Sequence, residues 1–364
     1  IGALLLANVE IFLGINLYKL FTEERNKKFL KSTFGTYLAP ELIEEMVDNK
    51  EPPKLGGEAR QVTAYFTDIQ GFSSFAEKLT AEQLVELLNE YLSEMTEILI
   101  SERGTLDKYI GDAIVAVFGA PMDLPDHGVR ACRVAVKMQE RQDALCRKWS
   151  EEKQDPHEPN RNVKNLPEEE WAPGDKWPKL VHDMKTRIGI NSGYIVVGNM
   201  GSSTRMNYTM MGDAVNLAAR LEAGSKQFGI YSMVSEYTLD ELFEDKEGGE
   251  HRVADHVEAR FIDSITVVGK SEPVKVYEIC AMKGELTEQE QELFDIFNQS
   301  MEHYRHMEWD KAIAGFEKAL KIERVPEGKT TPSQMFIERC REFKESPPVP
   351  KGEVWDGVYR MTRK

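Results

Sequence analysis

The sequence predicts an α+β domain with the ferredoxin-like order β-α-β-β-α-β, extended by extra strands and followed by a helical appendage. Three observations predict it. Val62, Ala64 and Phe66 alternate with Thr63, Tyr65 and Thr67, the two-residue period of a strand that ends at Asp68. Leu84, Leu87, Leu88, Tyr91, Leu92, Met95, Ile98 and Leu99 keep the 3.6-residue period of an amphipathic helix. Apolar residues then flank Gly111-Asp112, which reads as the tight turn of a hairpin over 105–118.

The elements follow in chain order. Residues 1–21 are almost wholly apolar and are followed by Arg25, Lys27, Lys28 and Lys31, so they read as the end of a transmembrane helix with a cytoplasmic flank. That places the protein in the inner membrane with its remaining domains in the cytoplasm. Asn8, Glu10 and Asn16 leave a buried or coiled-coil helix as the other reading. Residues 22–57 read as a signalling linker helix, broken by Pro52-Pro53 and Gly56-Gly57. The α+β domain occupies 58–284. Its first helix opens on a capping box, Thr80 with Gln83. A second helix runs from about Asp126 to Trp149, a strand over 187–200 and a further helix from about Ala214 to Gly224. Residues 150–181 interrupt the pattern with five prolines and many charges, and they read as a mobile surface insertion. From 285 to 364 the chain turns helical. Leu293, Phe294, Phe297 and Tyr304, then Trp309, Ala312, Phe316, Ala319 and Leu320, resemble one tetratricopeptide unit docked on the domain.

Composition narrows the partners. With 364 residues and a formal net charge of −16, the chain is a poor general binder of nucleic acid. Cys132, Cys146, Cys280 and Cys340 are scattered without metal-ligand spacing and read as reduced thiols.

The chemistry begins with Asp68 and Asp112. Adjacent strands lie about 4.8 Å apart, so if the strand before Asp68 pairs with the hairpin, the two carboxylates meet at one end of the sheet. Such a pair suits two divalent metals about 3.5–4 Å apart, the arrangement for in-line displacement at phosphorus. Asn216 and Arg220 stand at i and i+4 and share a helix face. Gly71-Phe72-Ser73 opens a helix whose first N–H groups can take phosphate oxygens. Taken singly, these residues also read as turn aspartates, a simple glycine turn, a surface Lys108, a strand Thr209 and an Arg220–Glu222 ion pair. No GxxxxGK[ST] segment is present, which argues against a phosphotransferase of that type.

Together the segments TAYFTDIQGFS (63–73), KYIGDAIVAVFG (108–119), RIGINSGYIVVGNM (187–200), YTMMGDAVNLAARLE (208–222) and TVVGKSEPVKVYEI (266–279) resemble the class III nucleotidyl cyclases. The likeness covers about residues 34–282 and is to the bacterial kind fused to a membrane sensor such as CHASE2. The resemblance implies that Asp68, Asp112 and the backbone carbonyl of Ile69 hold two Mg²⁺ or Mn²⁺ ions. It implies that Lys108 and Thr209 select the base, with a Lys donor facing purine N1 and a Thr acceptor near the exocyclic amine favouring adenine. Asn216 would orient the ribose, Arg220 would stabilise charge on the α-phosphate, and Arg187 and Lys270 would hold the β- and γ-phosphates. Gly71 and Phe72 would line the triphosphate. The expected activity is conversion of ATP to cyclic AMP and diphosphate in a symmetric homodimer, each site shared between two copies. A guanylate cyclase and a silent nucleotide-binding module are the competing readings.

Overall fold

A computed structural model describes residues 54–155, 164–202, 204–245, 247–265, 273–323, 330–350 and 355. The expected transmembrane helix and most of the linker lie outside these residues, as does Lys270. Among the described residues, no helix is long and apolar enough to cross a membrane. The chain divides into two compact units, one of 57–198 with 207–364 and one of 1–56 with 199–206. Every contact below lies within the larger.

In chain order the elements are β1 (Gly56–Ile69), α1 (Phe72–Lys78), α2 (Ala81–Ser101), β2 (Thr105–Ile110), β3 (Ala113–Phe118), α3 (His127–Glu151), α4 (Lys179–His182), β4 (Thr186–Ser202), β5 (Arg205–Met211) and α5 (Asp213–Ser225). They continue as β6 (Ser232–Ser235), α6 (Glu236–Leu239), β7 (Leu242–Glu244), β8 (Glu250–Arg252), β9 (Val257–Ile265), β10 (Val274–Met282), α7 (Glu288–Arg305), α8 (Trp309–Ile322) and α9 (Pro332–Glu345). The main sheet runs β2-β3-β1-β4-β6-β10-β9, with β5 paired to β4. β1 lies antiparallel to β3, with Thr63 opposite Phe118 and Phe66 opposite Val115. β4 and β6 pair in parallel across the α5 crossover, so β1-α2-β2-β3-α3-β4 has the predicted order.

The strand period explains the layers. Tyr65 and Ile69 of β1 join Leu87, Tyr91, Met95 and Leu99 of α2 and Cys132 and Met138 of α3 in one core. Val62 and Ala64 point the other way, into a second core with Val115, Val117, Ile195, Met210, Val215 and Ala218. α2 begins as predicted: Thr80 Oγ1 accepts from the Gln83 amide at 3.2 Å, and Gln83 Oε1 accepts from the Thr80 amide at 3.1 Å. Such a cap stabilises the helix by about 1 kcal/mol.

The 150–181 stretch corrects its expectation. Its described parts are anchored in the core and do not form a loose surface insertion. Trp149, Trp171 and Trp177 are all buried. Each indole N–H is satisfied: Trp149 donates to Glu90 at 3.0 Å, Trp171 to the Asp175 carbonyl at 2.9 Å, and Trp177 to Glu152 at 2.8 Å. The prolines and charges suggested mobility, but three large apolar rings with satisfied donors outweigh them.

The C-terminal helices α7–α9 dock on the domain, α9 being a helix beyond the two that the sequence suggests. Phe297, Phe316, Phe336 and Trp355 share a core with Leu217 and Leu221 of α5 and with Ile262, Val274 and Val276 of the sheet. A buried ion pair, Arg339 to Asp263 at 2.6 Å, ties α9 to β9. The appendage is thus built onto the sheet edge opposite the β2–β3 hairpin.

Candidate active site

The β2–β3 hairpin contributes residues to two polar clusters. Gly111 takes φ of +65°, the left-handed conformation that the tight turn needs and that costs glycine little. This turn presents Asp112 back toward the end of β1. There Asp112 Oδ2 accepts from the Ile69 amide at 2.8 Å, and the Thr67 hydroxyl accepts from the Ile114 amide at 3.0 Å. The turn is therefore fastened to β1 by one bond from each backbone to the other's side chain. Burial raises the Asp112 pKa from its ordinary value; the Ile69 N–H opposes this and the charge of Asp68 adds to it. The two predicted aspartates are electrostatic neighbours, as their positions in the chain implied.

Arg187 of β4 completes this end. It ion-pairs with Asp68 and donates from Nε to Glu222 of α5 at 2.9 Å. Its side chain is 14 % exposed. Glu222 was not a predicted site residue. It arrives because α5 lies directly on β4: a Cβ at Gly189 would fall 2.2 Å from the Ala218 carbonyl oxygen and 2.3 Å from the Glu222 amide. Only glycine permits that approach, and Arg187, two residues earlier on the same strand face, then meets the Glu222 carboxylate. Burial raises the Glu222 pKa, Arg187 lowers it and Asp68 raises it again. Glu222 is thus held by Arg187.

The donor chemistry here fits a hard divalent cation. The Asp68 and Asp112 carboxylates, beside the backbone of Ile69, offer hard oxygen ligands at one end of the sheet. Among the described residues, no group of three or more His, Cys, Asp or Glu side chains forms a metal cage. Mg²⁺ takes one or two carboxylates and completes its shell with substrate phosphates and water. Gly71 (φ +74°) turns the chain from β1 into α1, and Phe72 is its first residue. α1 is 7 residues long, about two turns.

Within β2, four residues before Asp112, Lys108 meets Thr209 of β5. Lys108 Nζ donates to Thr209 Oγ1 at 3.2 Å across from β2 to β5. A third residue joins them that the sequence reading missed. Thr209 Oγ1 donates to Asp107 Oδ2 at 2.5 Å, and Asp107 Oδ1 lies 3.4 Å from Lys108 Nζ. The ladder slips between Leu106 and Lys108, so Asp107 is the extra residue of a β-bulge. In a regular strand, neighbours 107 and 108 would point to opposite faces. The bulge lets both reach Thr209.

Asn216 and Arg220 share the exposed face of α5, opposite Val215, Leu217, Ala218 and Leu221 in the core. Among the described residues, no hydrogen bond or ion pair joins Asp107, Lys108 or Thr209 to Asp68, Asp112, Arg187 or Glu222. The chain therefore carries two separate polar clusters, one anionic with an arginine clasp and one a Lys–Thr–Asp triad.

The family described as "Adenylate and Guanylate cyclase catalytic domain" matches residues 57–279. The chain is 29% identical over 250 residues to adenylate cyclase 1 of Rhizobium meliloti, which spans 68% of this chain and 31% of that protein. It is 30% identical over 259 residues to an adenylate cyclase of Anabaena cylindrica, 70% of this chain and 42% of that one. It is 26% identical over 317 residues to the terminal-differentiation-specific adenylate cyclase of Dictyostelium discoideum, 86% of this chain and 12% of that one. The chain thus spans less than half the length of each of these relatives. The structure of a bacterial light-regulated adenylyl cyclase, 24% identical with a TM-score of 0.50, covers 79% of this chain and 70% of its own and shares the fold.

Proposed function

The chain belongs to the adenylate and guanylate cyclase catalytic domain family, and on that premise we propose that it is an adenylate cyclase, forming 3′,5′-cyclic AMP and diphosphate from ATP in a symmetric homodimer. The observation that carries the adenine reading is the Lys108–Thr209 pair, a fixed cationic donor 3.2 Å from a hydroxyl. Adenine offers an acceptor at N1 and a donor at its amino group; guanine offers the reverse. Lys108 donates to N1 and Thr209 accepts from the amino group, so guanine meets two mismatches in place of two matches.

At the other cluster, Asp68, Asp112 and the Ile69 carbonyl would hold two Mg²⁺ or Mn²⁺ ions, which when bound acidify the ribose 3′-hydroxyl and neutralise triphosphate charge. Arg187 already bridges two carboxylates, and a triphosphate offers it further anionic oxygens. Lys270 is the second cation proposed for the β- and γ-phosphates. Asn216 orients the ribose, and Arg220 stabilises the charge that grows on the α-phosphate as the 3′-oxygen bonds to phosphorus and diphosphate leaves. The hydroxyl proton passes to water or to substrate phosphate.

The shared-site arrangement is supported by the separation of the two clusters and by the exposure of Asn216 and Arg220 on one helix face. The metal end of one copy then meets the base and α5 end of its partner, and each dimer has two equivalent sites. The apolar 1–21 segment supports tethering to the inner membrane with the catalytic domain in the cytoplasm.

Product formation from ATP and from GTP by the purified protein, with Mg²⁺ or Mn²⁺, tests this reading. A kcat/KM for ATP at least about a hundredfold above that for GTP is expected, the discrimination that polar mismatches readily exceed. Equal or reversed rates reject adenine specificity, and no product from either nucleotide identifies a silent binding module.

A further inference from the structure

We propose that Asp107 is the positioning residue that gives Thr209 its preference for adenine, by fixing the direction in which the threonine hydroxyl points its proton. The inference rests on the adenylate reading of the Lys108–Thr209 pair.

A threonine hydroxyl is ambivalent. It has one proton and two lone pairs, and it rotates to suit its partner. Alone beside a purine it can accept from an adenine amino group or donate to a guanine O6. Thr209 by itself is therefore a weak discriminator. A neighbour that claims the proton changes this, because the hydroxyl then has nothing but lone pairs left to offer.

Asp107 has the position and the chemistry to make that claim. Its side chain is 3 % exposed. Thr209 Oγ1 donates to Asp107 Oδ2 at 2.5 Å, so the threonine proton is spent on a carboxylate that, when ionised, can only accept. Burial raises the pKa of this carboxylate, and the Thr209 hydroxyl and the Lys108 ammonium, 3.4 Å away, oppose that shift. Its Oδ1 has no hydrogen-bond partner among the described residues. Burying this charge is costly, and the ladder is broken by a bulge at the very residue that brings it there. The arrangement leaves Thr209 an obligate acceptor and Lys108 an obligate donor. That is the complement of adenine and the inverse of guanine.

The test compares kcat/KM for ATP and GTP in the wild type, in Asp107→Asn, in Thr209→Val and in the double variant. The Asn amide can donate to the threonine and free its proton; Asp107→Ser, which cannot reach it, serves as a second variant should the first fail to fold. Each ratio is taken within one preparation, so a change in the folded fraction cancels. The ATP-over-GTP ratio is expected to fall at least about tenfold in Asp107→Asn, mainly through a gain for GTP. In the Thr209→Val background the same change should leave the ratio within about twofold, because Asp107 acts through that hydroxyl. A wild type that prefers ATP, with ratios held in both Asp107 variants, overturns the inference and leaves the adenine reading standing. An equal fall in the Thr209→Val background also overturns it. A wild type without ATP preference overturns the adenine reading and the inference with it.

Discussion

Asp112 and Lys108 lie four residues apart in one hairpin, yet their surroundings are built on opposite principles. At the Lys108 end, opposite charges are paired: the ammonium, the Thr209 hydroxyl and the Asp107 carboxylate form a closed chain of contacts. At the Asp112 end, like charges are gathered and only partly compensated. Asp68 and Glu222 lean on a single guanidinium, and Asp112 is left with a backbone amide. On the proposed reading, the first end would read the base by its hydrogen bonds, and the second would hold cations and the triphosphate they bring. One short hairpin would then contribute to both tasks, as a site completed by a second copy requires.

The largest effect is expected where the charge is least compensated. Asp112→Asn should lower cyclase activity by about 10²–10³, the scale of losing one preorganised electrostatic group. The resting fold should not suffer. The Asp112 carboxyl is raised by burial, opposed by the Ile69 amide and raised further by Asp68, so its ionised form at neutral pH opposes folding. A neutral isostere that still accepts from Ile69 should hold or raise the Tm, by about 2–4 °C for each kcal/mol recovered. Thermal melts without divalent cations decide this. A clear fall in Tm would mean that the anionic end is held together by Asp112 and is not strained by it.

A smaller effect separates the site from the scaffold behind it. His127 sits under β1 and β4, with Nδ1 2.7 Å from the Thr63 hydroxyl, which in turn lies 2.8 Å from Ser192 Oγ. Burial lowers its pKa, while Glu241, Asp126 and Asp123 oppose that shift. The folded pKa is below the unfolded value of about 6.5. The stabilising contribution is therefore present above that value and is lost as pH falls through the folded pKa. Denaturation midpoints should decline below about pH 6.5, and His127→Gln should flatten the decline by up to about 1 kcal/mol per pH unit. An unchanged slope would assign the acid sensitivity to the carboxylates.

Much of this was legible in the sequence because it is periodic or local. The strand before Asp68, the capped helix at Thr80 and the Gly111-Asp112 turn each follow from spacing within a few residues. Lys108 and Thr209 were recognised from their motifs, and the structure brings them together. Asp107 was hidden for a physical reason. In the segment TLDKYI, simple alternation sends residues 107 and 108 to opposite faces, and nothing in the letters marks the bulge. Glu222 was hidden because its partner is 35 residues away and the meeting depends on Gly189 letting a helix settle onto a strand. The 150–181 stretch misled through its prolines, although Trp149, Trp171 and Trp177 carried the signal of anchorage.

The central claim is that each active site joins the metal end of one copy, with Asp68, to the base and α5 end of the other, with Asn216. Mixing inactive Asp68→Asn chains with inactive Asn216→Ala chains tests it directly. After exchange of subunits at equal amounts, half of the dimers are mixed and each mixed dimer retains one intact site of two, so activity should return to about a quarter of the wild-type level. Activity that stays at the level of the separate variants, across mixing ratios and with subunit exchange demonstrated, would contradict the account.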